Sequence, residues 1–469
     1  MQNKSAYIWN FGGRIVPQVI FLLTNIILAH YLSPSDFGQI GVLAIFISIS
    51  STLTEAGFGG SIIKEEKVLP IDLSTVFIYN LVVSLLLYSI LFISSTWLES
   101  YFKIEGLANV SRVLGLVFVI SAWSLIPKTI LIKNLCFKQI AIVGVIGVII
   151  ASGISIICAS KGFGVYALVA YQLTYVICEV ICFEIITKYN LSFKFSVNSF
   201  KKLFSFGFFT TLCNIIDAAY SNLMTAFFGK YINIKSAGYL FQSQKLETAA
   251  TNSLAQTINT VSFPILTKLK TKQDIFYNEA NSLFRNLTLC IFPLFWVIVI
   301  YSEPIIVLIY GEEWKDASIY LSLLMIAGIF SVMESLTRNY IKSLGNVKKL
   351  AEYTLFKRIV GIICIVLFLI IDPFYMLYGF IISTIIGYLV NMNLYSQLIE
   401  IGYCKLLWND LKSFIITLFF PLLLFSIHKI DNLLIETVLI SIVLLLYYLL
   451  LLPRYLKIDI YRLRIKKNH

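Results

Sequence analysis

The sequence predicts an all-α polytopic membrane protein with fourteen transmembrane helices, arranged as two pseudo-symmetric six-helix lobes followed by two C-terminal helices. Three observations carry this expectation. The composition is too apolar for water, apolar runs of bilayer length recur along all 469 residues, and a direct repeat places related blocks six spans apart.

Hydrophobic residues make up 58% of the chain and charged ones 13%, against roughly 45–50% and about 25% in soluble domains. The mean hydropathy of +0.85 agrees. Soluble enzymes are therefore excluded first. The formal net charge is +12, from 37 Lys and Arg against 25 Asp and Glu. In a soluble protein that would suggest nucleic acid; here the basic residues serve topology, and no nucleic-acid partner is expected. The eight cysteines lack a CxxC pair and the three histidines (His30, His428, His469) are scattered. Neither a zinc site, a disulfide scaffold nor a histidine-based catalytic centre is indicated. Cys178 and Cys182, one turn apart, read as helix surface, so no metal and no bound cofactor is expected.

A bilayer core takes about 20 apolar residues per helix. The runs that meet this are 8–31, 37–58, 73–98, 108–132, 139–158, 163–186, 203–228, 236–262, 283–303, 316–340, 351–371, 374–398, 411–428 and 433–452. The first is not read as a cleavable signal, because Arg14, Pro17 and Gln18 interrupt it and no small-residue cleavage site follows. The short loops that remain carry a strong charge bias. Twenty-seven basic residues, Lys357 and Arg358 among them, fall on one side. Seven, including Arg112, fall on the other, and Arg14, Lys245 and Arg338 lie within spans. Positive charge stays on the cytoplasmic side, so both termini are expected there. The polar run 236–262 is kept as a span because removing it would put the later basic loops outside. A span that polar needs its polar face turned away from lipid.

The repeat lies at an offset near 200. Tyr31–Ile40 lies over Tyr231–Leu240, matching the tyrosine and the glycine, and Asn10-Phe11-Gly12 lies over Ser205-Phe206-Gly207. Blocks six helices apart have the same orientation, which implies two parallel lobes with the substrate region between them. The expected units are 1–190 (helices 1–6), 191–400 (helices 7–12) and 401–469 (helices 13–14 with a basic cytoplasmic tail).

Helical spacing puts Arg14, Gln18 and Asn25 on one face of the first span. Thr210, Asn214, Asp217, Ser221 and Thr225 share a face of the seventh, and Lys245, Asn252, Gln256 and Asn259 one of the eighth. These stripes suit the walls of a wet cleft, and they equally suit helix-to-helix hydrogen bonding. Arg14 either faces the cleft or snorkels to the cytoplasmic surface. Glu334 and Arg338, four apart, form a salt bridge or line the cleft. The expected substrate-lining residues are Arg14, Gln18, Asn25, Asn214, Lys245, Asn252, Gln256 and Arg338, with Asp217 and Glu55 as candidate ion-coupling acids. No GxxxxGK[ST] loop is present to use ATP. Mixed charge with many amides and hydroxyls suits a neutral-to-anionic polyhydroxylated cargo.

The stretch Trp9 to Glu66, opening WNFGGRIVPQ, and the stretch Gly238 to Leu266, opening GYLFQSQKLE, resemble the polysaccharide-exporter branch of the MOP superfamily, the Wzx-type oligosaccharide flippases. The likeness extends over the whole chain. It implies a non-enzymatic transporter of the bacterial cytoplasmic membrane that flips undecaprenyl-diphosphate-linked oligosaccharide repeat units by alternating access, coupled to a proton or sodium gradient. The implied partners are the lipid-linked oligosaccharide, membrane lipids, a polysaccharide polymerase and a chain-length regulator. Arg14 and Lys245 fall on the family's basic positions, expected to meet the diphosphate or acidic sugars, and residues 411–452 on the helices that form a groove for the lipid tail. The rivals are a drug antiporter of the same superfamily, which would want an acidic cation site in the first span, and a membrane polymerase or ligase, which would want a large external loop.

Overall fold

The computed structural model describes residues 2–188 and 193–427 together with Leu439, Val443 and Tyr447. Among the described residues all regular structure is helical. Hydrocarbon offers no hydrogen-bond partner, so apolar segments of this length must satisfy their backbone internally. Nine helices precede residue 232: α1 (Gln2–Ala29), α2 (Pro34–Glu55), α3 (Phe58–Lys64), α4 (Pro70–Phe102), α5 (Leu107–Ser121), α6 (Leu125–Lys133), α7 (Phe137–Ser160), α8 (Tyr166–Thr187) and α9 (Val197–Tyr231). Then come α10 (Ile234–Leu269), α11 (Gln273–Ile300), α12 (Ser302–Tyr310), α13 (Ala317–Ser343), α14 (Val347–Ile371), α15 (Met376–Ile399), α16 (Tyr403–Thr417) and α17 (Phe419–Ile427).

Among the described residues, eight helical stretches are long and apolar enough to cross a membrane, or nine if the bent pair α5–α6 is one span. The expected spans up to 374–398 each fall on a helix or on that pair. Run 411–428 is divided between α16 and α17, and 433–452 lies outside the described residues apart from Leu439, Val443 and Tyr447. Helices α9 and α10, of 35 and 36 residues, are continuous despite their polar content.

Contacts divide the chain into two compact units. One comprises Met1–Gln242 with Ile309–Trp314, the other Ser243–Leu308 with Lys315–His469. The division runs through α10, whereas the repeat sets its boundary at residue 190. In the first unit α1 packs on α7, α7 on α8, α4 on α5 and α2 along α9. The entry to α2 is built locally. Ser33 caps it, its hydroxyl accepting from Asp36 N while the Asp36 carboxylate accepts from Ser33 N at 2.9 Å, and Pro34 fills the first turn, where no N–H is needed. Asp72 accepts from Leu69 N at 3.0 Å at the start of α4.

An aromatic core joins α3, α4, α6 and α9. Phe58 stands 4.9 Å from Tyr79, Phe77 is edge-on to Trp123 at 5.1 Å, and Phe200 stacks on Phe204 at 5.1 Å. Lys133 donates to Ile62 O at 2.9 Å and to Glu65 O, satisfying carbonyls the end of α3 leaves open. Two basic residues expected in loops lie on helices instead. Arg112 sits on α5, its Nε 2.7 Å from Ser95 Oγ and its guanidinium 4.9 Å over Phe92, and Lys357 lies well inside α14.

In the second unit α13 and α14 both pack along α15, and α11 contacts α13, α16 and α17. Close approach of α14 to α15 depends on Gly379, where a Cβ would stand 3.0 Å from Cys364 O. Tyr340 Oη donates to Ala280 O at 2.9 Å, tying α13 to α11.

Candidate functional site

In the first unit the repeated blocks meet each other. A Cβ on Gly38 of α2 would overlap the Ile234 carbonyl oxygen, and a Cβ on Gly238 of α10 would overlap the Pro34 carbonyl oxygen. Either added atom would also stand 3.1 Å from the backbone nitrogen of the other glycine. Positions 34 and 38 of one block therefore face 238 and 234 of the other, the crosswise pattern that a local two-fold axis produces. Glycine is required because the helix backbones touch. Nearby, a Cβ on Gly41 would stand 2.7 Å from Thr225 Cγ2 and 3.0 Å from the Phe241 ring, and one on Gly229 would overlap Val42.

The connection Ile309–Trp314 closes over this corner. Trp314 is fully buried, donates from Nε1 to Ala29 O at 3.1 Å, and sits edge-on to Phe37 at 5.3 Å and Tyr239 at 6.0 Å. Tyr239 Oη donates to Glu313 O at 3.0 Å. The α1–α2 corner, the α9–α10 corner and this loop form one packed knot.

The expected lining residues are placed as follows. The side chains of Arg14, Asn252 and Gln256 lie outside the described ones. Gln18 is half-buried on α1, while Asn25 is 4% exposed and donates to Phe21 O of its own helix at 2.7 Å. One residue earlier, Thr24 donates to Ser152 Oγ of α7 at 2.7 Å. Asn214 is exposed and Asp217 half-buried on α9. Glu55 is exposed at the end of α2, its carboxylate beside Gly59. Lys245 is half-buried on α10, in the second unit. Two residues on, Glu247 lies against Gly328 of α13, where a Cβ would come 3.2 Å from its Oε1.

Arg338 belongs to a cluster that spacing alone half foretells. Its Nη2 donates to Glu334 Oε1 at 2.9 Å, the i,i+4 pair. The same oxygen accepts from Lys357 Nζ of α14 at 2.7 Å, and Lys357 also donates to Asn391 Oδ1 of α15 at 2.8 Å. Asn391 is fully buried, and Lys357 and Glu334 are each 6% exposed. Gly387 makes the room, since a Cβ there would stand 2.9 Å from Glu334 Oε2. Two cations thus share one carboxylate, and Arg338 Nε has no partner among the described residues. Arg338, one-third exposed, is the cation of the pair with capacity left for an anion. Sequence reasoning assigned Lys357 to a cytoplasmic loop. The signal against that was its position seven residues into run 351–371, facing two neighbouring spans that each carry a polar residue.

Long apolar helices with charges and amides buried between them define a polytopic membrane protein, and its fold is that of known transporters. The structure superposes on one described as the lipid II flippase MurJ, inward closed conformation, with a TM-score of 0.73 at 16% identity, covering 94% of this chain and 98% of that one. Residues 27–319 match the family described as polysaccharide biosynthesis protein, and the chain belongs to that family. Among its relatives are the teichuronic acid biosynthesis protein TuaB of Bacillus subtilis, 22% identical over 71% of this chain and 69% of TuaB. The lipopolysaccharide biosynthesis protein WzxC of Escherichia coli is 22% identical over 68% of this chain and 66% of WzxC. The family anticipated from Trp9–Glu66 and Gly238–Leu266 is the family found.

Proposed function

We propose that the protein flips undecaprenyl-diphosphate-linked oligosaccharide repeat units across the bacterial cytoplasmic membrane for surface polysaccharide biosynthesis. The observation that carries this reading is the family match over residues 27–319. The fold and the relatives named for teichuronic acid and lipopolysaccharide biosynthesis agree with it. The chain crosses the bilayer fourteen times with both termini in the cytoplasm, as two six-helix lobes (1–190 and 191–400) followed by residues 401–469. The reciprocal contact of Gly38 and Gly238 supports the two-lobe reading.

In that topology the α1–α2 and α9–α10 corners face outward, and their knot is the closed outer end of an alternating-access cycle. The sugar and diphosphate pass between the lobes while the prenyl tail stays in lipid against residues 411–452. Arg14, Lys245 and Arg338 supply positive charge to the diphosphate, with Gln18, Asn25, Asn214, Asn252 and Gln256 as hydrogen-bond partners for sugar hydroxyls. Proton or sodium entry drives the cycle, with Asp217 or Glu55 as coupling acids, and a polysaccharide polymerase and a chain-length regulator take the product onward. The test is reconstitution in liposomes loaded with a lipid-linked oligosaccharide. Flipping is expected to raise the fraction open to an externally added glycosidase, and a fraction equal to that of protein-free liposomes would refute the reading.

A further inference from the structure

A second buried charge lies apart from the cationic cluster, on α16. Asp410 is 7% exposed and makes no ion pair among the described residues. One of its oxygens, Oδ2, accepts from Tyr388 Oη of α15 at 2.6 Å. Beside it is a cavity of about 20 Å³ walled by α11, α13, α15 and α16, room for roughly one water or one small ion. Tyr395 borders this cavity, is 3% exposed, and its hydroxyl has no hydrogen-bond partner among the described residues. The other polar side chains of the wall are Tyr277, Asn281, Tyr340 and Asn409, set among the apolar Ala280, Phe284, Met392 and Leu406. Asn409 Nδ2 donates to Tyr277 Oη at 2.6 Å, and Tyr340 Oη is committed to Ala280 O. Among the described residues, the titratable groups facing Asp410 are thus the hydroxyls of Tyr277 on α11, Tyr340 on α13, and Tyr388 and Tyr395 on α15, with no lysine or arginine paired to the carboxylate.

A carboxylate withdrawn from water costs several kcal/mol unless a positive charge or a proton accompanies it. Helix capping does not explain it, because Asp410 lies in the interior of α16 (Tyr403–Thr417). An unpartnered buried hydroxyl next to it is an equally unusual cost. One small cation relieves both, since the carboxylate, the Tyr395 hydroxyl and the Tyr277 hydroxyl are the hard oxygen ligands that such an ion takes.

We infer that Asp410, with Tyr395 and the cavity between them, is a binding site for a single small monovalent cation, sodium or a proton. The binding stands on the geometry alone; that it powers transport rests on the flippase reading. A cation held between α11, α13, α15 and α16 stabilises the packing of α16 on the bundle, and its release uncovers a charge that draws water in. The site then has an occupied, closed form and an ionised, wet form, the two conditions a coupling site needs.

The test uses the purified full-length protein and needs no flipping assay, so its failure is distinct from that of the proposed function. Radioactive sodium ion is titrated in a proximity assay, and the melting temperature is followed from pH 5 to 9 in sodium-free buffer, for the parent, Asp410→Asn and Tyr395→Phe. Asp410→Asn keeps an oxygen for Tyr388 to donate to and removes only the charge. Saturable sodium binding in the parent that falls at least tenfold in both variants identifies sodium as the occupant. A parent that binds no sodium but whose melting temperature depends on pH more steeply than that of Asp410→Asn identifies the proton. Parent and Asp410→Asn alike in both measurements would overturn the site.

Discussion

Glu334 is the residue on which the second unit's polar interior turns, because two cations, Lys357 and Arg338, share its one oxygen. Glu334→Gln removes the only negative charge of the cluster and leaves Lys357 buried against Arg338. Breaking a buried pair in this way costs about 3–5 kcal/mol, so a marked fall in melting temperature is expected. Lys357→Met should cost clearly less, because Glu334 keeps Arg338. Equal losses in the two variants would mean that the carboxylate does not organise the cluster. Half of this was readable in advance. Glu334 and Arg338 lie four apart on one helix, and local spacing fixes such a pair. Lys357 joins from another helix, and a lysine buried by tertiary packing looks in a linear sequence like one that marks a cytoplasmic loop. Asp410 was missed for the same reason. It falls just ahead of run 411–428, and nothing local reveals that four helices close around it.

At the scale of elements, the α2–α10 crossing is held by contact so close that only hydrogen fits at Gly38 and Gly238. Gly238→Val places three carbons where Pro34 O now lies, which forces the helix starts apart. Leu32, 4% exposed beside the crossing, reports the effect. In a background with Leu32→Cys, reaction with a membrane-impermeant maleimide should be severalfold faster when Gly238→Val is added, and an unchanged rate would show that the crossing absorbs the side chain without parting. The polar run 236–262, which the charge bias argues should cross the bilayer, lies within the continuous helix α10. The 43° bend between α5 and α6 was overlooked, although the sequence holds its cause. Pro127 offers no N–H to the Trp123 carbonyl and its ring crowds that carbonyl, so the helix breaks one turn earlier, at residues 122–124.

For the whole molecule, the three candidate activities leave different traces in a cell. Deleting the gene should leave lipid-linked repeat units accumulated on the inner leaflet, whereas loss of a polymerase would display single units at the surface and loss of a drug antiporter would change only drug sensitivity. Extraction of the lipid-linked pool and surface labelling separate the outcomes. The overall class was legible because bilayer length and charge asymmetry are properties of long segments, which local detail does not disturb. The division of contacts was not, since α9, which the repeat spacing assigns to the second lobe, packs along α2 of the first, and linear spacing carries no record of that contact. The mirrored glycines carry one further implication. Since Gly38 and Gly238 are each other's packing surface, neither can gain bulk alone, so two positions far apart in the sequence are bound to a common fate.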